Sequence, residues 1–435
     1  MSKKIIRRAR LWALLSASAV TALLAGPAGS AQTAKPAAAV NPKSAAVKEA
    51  TDEVLRETSE LRHLTVLRPV SSGAQSRTDI EQMLVANLDE TSTPEELRAS
   101  EVALKKYGLA PADFQLREFI IGVLTEQIAG YYSPKTQWFY LADWVDLDGI
   151  KPVIAHELTH ALQDQHFNLR RFENWPKHDS DAELAAQALV EGDATVLMMQ
   201  YTMREPSRAL ALFRSMGNTS TEQLDRAPRV LRETLMFPYE QGMLWASQVQ
   251  RRGGWDAVSQ AYEKLPQSTE QILHPEKYFA REEPVKNFKW EDVSGLLGKG
   301  WRVTDDDVNG EWGYYLILDE YLKNKSDSLK AAAGWGGDHY VLYEGPNRGD
   351  VMLAQYTQWD TEADASEFFD AYVRRTAARY RPAGAVQLTQ ETTPTRAAWE
   401  TDEGTVVVER RGLRVTIVEG LPKTANAALL AKLFQ

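Results

Sequence analysis

Val153-Ile-Ala-His156-Glu157-Leu-Thr-His160-Ala-Leu-Gln163 is the stretch that decides how this 435-residue chain is read. Val153, Ile154, Leu158, Ala161 and Leu162 give it the apolar spacing of a helix well covered by neighbours. On such a helix His156 and His160 are four residues apart and leave one face, so their imidazoles can converge on a single ion. Glu157 sits about 100° around from His156, beside that ion without ligating it, where it can take a proton from activated water. Two histidines, one further ligand, an open position and a carboxylate base are the parts of a hydrolytic zinc site, with one Zn2+ per chain.

Two residues could supply the third ligand. His166 continues the string as His156-Glu-x-x-His160-x-x-Gln163-x-x-His166, the metzincin spacing with Gln163 in place of the glycine that turns the helix back. Nothing between Ala161 and Phe167 breaks a helix, and on a continuous one His166 lies about 120° around from His160. Glu191 is the other, in the Ala-rich helical segment Ala188-Leu-Val-Glu191-Gly192-Asp193-Ala194-Thr195. It is a lone carboxylate among Leu184, Ala188, Ala194 and Met198, and Ala188 and Gly192 permit a neighbouring helix to approach closely, as two helices sharing a metal require.

HExxH followed about thirty residues later by a helical Glu-Gly-x-Ala resembles the gluzincin zinc metallopeptidases, over roughly residues 115–205. That resemblance implies His156, His160 and Glu191 as ligands and Glu157 as the base. It also implies that the upstream hairpin Gly130-Tyr131-Tyr132-Ser-Pro-Lys-Thr-Gln-Trp-Phe-Tyr-Leu141 supplies Gly130, Tyr131 and Tyr132 to an extended peptide through backbone hydrogen bonds. The chain as a whole is similar to a little-characterised group of exported bacterial metallopeptidases, on Gln-Ile-Ala-Gly-Tyr-Tyr, His-Ala-Leu-Gln-Asp-Gln-His-Phe and Ser-Thr-Glu-Gln-Ile-Leu-His-Pro-Glu-Lys-Tyr. Thermolysin-like gluzincins support the first histidine with an acid four residues after the ligand glutamate, where this chain has Thr195. Asp164 and Asp193 are the acids near enough in sequence to substitute. Tyr239, His274 and Tyr278 are candidate donors to the oxygen that becomes negative as an amide is hydrolysed.

Composition constrains the rest. The chain has no cysteine, which excludes thiol catalysis, disulfide scaffolds and thiolate-bound metals, so any metal is held by His and carboxylate. With 50 Lys+Arg against 60 Asp+Glu it is acidic, unsuited to nucleic acid as a partner. Five of those basic residues, Lys3, Lys4, Arg7, Arg8 and Arg10, precede the apolar run Leu11–Gly26 and the small residues Ala28-Gly-Ser-Ala31, the layout of a cleaved export signal. Residues 1–31 are therefore expected to be a signal peptide, leaving 45 basic against 60 acidic residues on a periplasmic or secreted chain with no stable membrane insertion.

An Ala/Pro-rich leader is expected at 32–44, then a mainly helical zincin-like domain at 45–290 with a short hairpin. A connecting segment at 291–334 leads to a small α+β domain at 335–435, where His339-Tyr-Val-Leu-Tyr, Val351-Met-Leu-Ala-Gln-Tyr-Thr, Thr405-Val-Val-Val-Glu and Leu413-Arg-Val-Thr-Ile-Val read as strands. The fold class is thus α+β. Two functions fit: a zinc peptidase acting on a peptide or protein substrate, and a non-catalytic exported binding protein whose zinc is structural or whose zincin scaffold is inactive.

Overall fold

The computed structural model describes residues 42–147, 149–174, 178–216, 222–380 and 390–434. The expected export signal at 1–31 and the expected leader up to residue 41 lie outside the described residues. From Pro42 the chain is helical, so the last three residues assigned to the leader belong to the first helix, Pro42–Arg62.

The motif helix spans Lys151–Phe167. Pro152 in its first turn needs no intrahelical donor, and Asn168 ends it in the left-handed conformation at φ 55°. Every residue from Pro152 to Asp164 is buried, so this helix is enclosed on all sides rather than amphipathic. It packs against Pro42–Arg62, against the Glu191 helix Ser180–Arg204, and under a small sheet. Asp179 caps the Glu191 helix by accepting from the Ala182 amide.

A third long helix, Arg229–Ala261, contains Pro238 and breaks at Gly253 and Gly254. It crosses the Glu191 helix where both lack side chains. A Cβ on Gly192 would sit 2.2 Å from the Gly242 carbonyl oxygen, and one on Gly242 would sit 2.2 Å from the Ala188 oxygen. The close approach foreseen at Ala188 and Gly192 therefore exists, but it serves this third helix and not the motif helix. Gly192→Ala must push two backbones apart, an overpacking cost of about 1–3 kcal/mol or more. Denaturant melts of the variant are expected to show that loss; an unchanged midpoint would mean that the crossing is looser than these distances require.

The small sheet has the order β1-β3-β2. Strand β1 (Ser71–Gln75) runs parallel to β3 (Trp138–Ala142), and β2 (Gly130–Ser133) pairs antiparallel on its other side, leaving β2 as an edge. The hairpin matches the sequence expectation; β1, with Ser, Gly and Gln in place of branched residues, carries no strand signal of its own.

A seven-stranded antiparallel sheet fills the C-terminal part, in the order β4-β5-β6-β10-β9-β8-β7. Its strands are β4 (Arg302–Asp307), β5 (Trp335–Glu344), β6 (Val351–Trp359), β7 (Gln390–Thr393), β8 (Arg396–Thr401), β9 (Gly404–Arg411) and β10 (Arg414–Leu421). Along β5, Tyr340 and Leu342 join the main core while Val341 and Tyr343 face a smaller cluster with Leu429 and Leu433. Alternation of side chains across a strand produces that division. The main core runs without interruption from Val47 to Ile417, so the sheet shares it with the helices.

β4 and the helix Gly310–Leu322 lie within the segment 291–334 that was read as a connector. β4 was hidden because Asp305-Asp306-Asp307 disfavours a strand. Those acids are tolerated at a sheet edge, where the Asp307 carboxylate accepts from the Ser180 and Val308 amides. The fold class is α+β, as expected. No described helix is long and apolar enough to cross a membrane.

Candidate metal centre

The enclosed motif helix directs His156 and His160 toward the Glu191 helix, and three ligand atoms meet there. His156 Nε2 lies 3.1 Å from His160 Nε2 and 3.1 Å from Glu191 Oε2, and His160 Nε2 lies 3.3 Å from that same oxygen. Among the described residues this is the group of three potential ligands close enough to hold one ion. Ligands at about 2.0–2.1 Å around a tetrahedral ion are separated by about 3.3–3.4 Å, close to the 3.1–3.3 Å sides of this triangle, so the three atoms could hold such an ion. Shared protons explain it less well, because three mutual contacts of this length cannot all be hydrogen bonds when only imidazole N–H donors are present. The two nitrogens and one carboxylate oxygen also match zinc's preferred donors.

Burial would push the Glu191 carboxyl up, but the His160 charge and the hydrogen bonds from both imidazoles outweigh it and hold the group at about 2. Burial disfavours charge on His160 as well; there Glu191 prevails and raises the ring to about 9. His156, at 1% exposed, is pushed below the ordinary histidine value by burial, and Glu191 offsets this only in part. Burial and the Glu191 carboxylate thus act in opposite directions on the two rings, and Glu191 prevails only at His160.

Glu157 is 3% exposed, and one of its oxygens accepts from the Tyr132 amide at 2.9 Å. Burial raises its carboxyl to about 8, with His160 pulling the other way. The Tyr132 bond also settles how β2 faces the centre. Because this amide points away from β3, the backbone groups of Gly130 and Tyr132 face off the sheet edge toward the motif helix. The phenols do not. Tyr131 donates to Gln75, and Tyr132 donates to Asp164.

Several expected residues are placed elsewhere. The motif helix runs straight through Gln163, so His166 emerges on another side and bonds the Thr65 carbonyl oxygen at 2.8 Å. Asp164 does not support a histidine. It receives Tyr132 Oη, Arg68 and the Leu169 amide, clamping the hairpin and the helix end together. His274 lies 2.9 Å from Glu311, in a segment that docks through Thr269 on Asp181. His274 is not part of the His156–His160–Glu191 group. Tyr278 donates to the Lys264 carbonyl oxygen and packs on Trp245. Tyr239 alone of these aromatic candidates adjoins the cluster, its ring 6.1 Å from that of His156 and nearly parallel.

Sequence reasoning missed Gln163 and Arg62. Gln163 Oε1 is 2.8 Å from His160 Nδ1, and its Nε2 donates to the Val190 carbonyl oxygen and to Asp193. Asp193 is gripped in turn by Arg62 through two bonds and by Tyr262 Oη. Asp193 therefore supports His160 at one remove and does not touch His156, because it leaves its helix on the side facing Gln163. The i, i+3 spacing of His160 and Gln163 was the available signal, since residues three apart share a helix face.

Residues 301–430, from one residue before β4, match a family described as "Domain of unknown function (DUF8575)". No curated protein and no solved structure is detectably similar to the chain.

Proposed function

We propose that this chain is an exported zinc-dependent peptidase. One observation carries the reading: three buried ligand atoms lie 3.1–3.3 Å from one another, and no fourth His, Asp or Glu among the described residues joins the group, so a tetrahedral ion held there would keep one position for water.

A zinc ion bound there supplies Lewis acidity, polarising a peptide carbonyl and making water acidic near neutral pH. His156, His160 and Glu191 hold it. Glu157 takes the proton from the attacking water and delivers it to the leaving amine. The Tyr132 amide keeps Glu157 in place. The Tyr132 N–H is taken by Glu157, so the main-chain groups that β2 offers to an extended peptide are those of Gly130 and the Tyr132 carbonyl. Tyr239 braces His156 from the far helix.

The burial of the cluster, with His160 the most exposed member at 8%, is what favours the second reading, a non-catalytic exported binding protein with structural zinc. Structural zinc sites are closed by four protein ligands, so ligand number separates the two readings. Metal analysis of the purified chain is expected to find one zinc per chain, and digestion of a peptide library is expected to stop on chelation and resume on zinc addition. A chain with no stoichiometric metal overturns the proposal, and zinc retained without any hydrolysis supports the second reading.

A further inference from the structure

We infer that Gln163 is the positioning residue that sets the tautomer and ring orientation of His160; the inference rests on the zinc reading above. Gln163 is fully buried in a site where both ends of its amide are committed. On one side lie two acceptors, the Val190 carbonyl oxygen at 3.1 Å and an Asp193 carboxylate oxygen at 3.0 Å. Only the NH2 end can face two acceptors, so the amide orientation is determined and Oε1 faces His160 Nδ1 at 2.8 Å. An oxygen there obliges Nδ1 to carry a proton and donate it. The lone pair of a neutral His160 is then on Nε2, the atom that faces His156 and Glu191.

The restraint extends outward. Asp193 cannot rotate away from Gln163, because Arg62 Nε at 2.6 Å, Arg62 at 3.0 Å through a second nitrogen, and Tyr262 Oη at 2.9 Å hold both of its oxygens. His156 has no counterpart: its Nδ1 is buried and has no hydrogen-bond partner among the described residues. The two histidines are therefore held unequally, and His160 is the ligand whose direction the protein imposes. Outer partners of ligating histidines contribute about 10–100-fold to metal affinity.

The test uses the full chain and zinc alone. Competition against a chelator is expected to show Gln163→Met, similar in shape and lacking both polar ends, binding Zn2+ about 10–100-fold more weakly than the unaltered chain. Loading with Co2+ is expected to give an altered visible absorption spectrum in the variant, which mere loss of stability would not produce. Gln165→Met, which removes contacts to the loop at Leu67 and Arg68, is expected to leave both unchanged. Should Gln163→Met fail to fold, imidazole proton–nitrogen correlation spectra of the unaltered zinc-loaded chain decide: His160 protonated on Nδ1 and ligating through Nε2 is expected, and ligation through Nδ1 overturns the inference. Equal zinc affinity and identical cobalt spectra for Gln163→Met also overturn it, without touching the zinc reading. Failure of the unaltered chain to bind zinc removes both.

Discussion

Glu157→Gln is expected to lower the rate of peptide hydrolysis by ~10²–10⁴-fold, the usual contribution of a positioned general base, while one zinc per chain is retained. The separation of the two outcomes follows from the site. A carboxamide has the size of the carboxylate, and its oxygen can still accept from the Tyr132 amide, so the strand, the motif helix and the ligands keep their places. What is lost is the ability to take up a proton. Parallel metal analysis and single-turnover assays on a cleaved library peptide check it. Hydrolysis within about tenfold of the unaltered chain would assign the proton to another group and sink the role given to Glu157.

Glu191→Gln is expected to have the second large effect, the loss of the metal itself. In the proposed site the carboxylate is one of three ligand atoms, and it is the anion beside the two imidazoles, held at about 2 by them. An amide oxygen keeps the shape and gives up the charge. Loss of an outer partner costs ~10–100-fold in affinity, so loss of a direct anionic ligand is expected to exceed that range. Thermal melts provide the readout. At free zinc a thousandfold above its Kd, the unaltered chain should gain about 4 kcal/mol from binding, whereas Glu191→Gln should gain almost nothing. A variant stabilised by zinc as strongly as the unaltered chain would remove Glu191 from the ligand set. His160→Ala tests the same point less cleanly, because it also leaves the buried Glu191 with one imidazole in place of two.

Legibility of the site varied with sequence separation. His156, Glu157 and His160 could be read directly, since four-residue spacing on a helix places two rings together whatever surrounds the helix. Glu191 could be suspected because an isolated carboxylate stood on an apolar stripe, and the hairpin because aromatic residues flank a Ser-Pro-Lys-Thr turn. The partners that orient the ligands could not. Arg62 and Asp193 are 131 positions apart, and no local pattern joins them. Gln163 was legible only as the missing glycine of another family's spacing, and Asp164 and Asp193 attracted attention because they carry charge. The neutral amide, three residues from His160, makes the bond. Strand β4 escaped for a related reason: its acids are unfavourable in an isolated strand and become acceptable once an edge position gives them amides to accept from.

The sequence by itself determined the α+β class, the presence of the hairpin, the two histidines and glutamate on one helix, and the exclusion of thiolate ligands. These depend on residue type and on helical or strand periodicity, which act over a few residues. Only the tertiary structure decided that Glu191 and not His166 completes the triangle, that Gly192 serves the crossing with Gly242, and that Gln163 meets His160 Nδ1. The physical reason is that a helix's period says in which direction a side chain leaves, whereas helix packing says what it meets there.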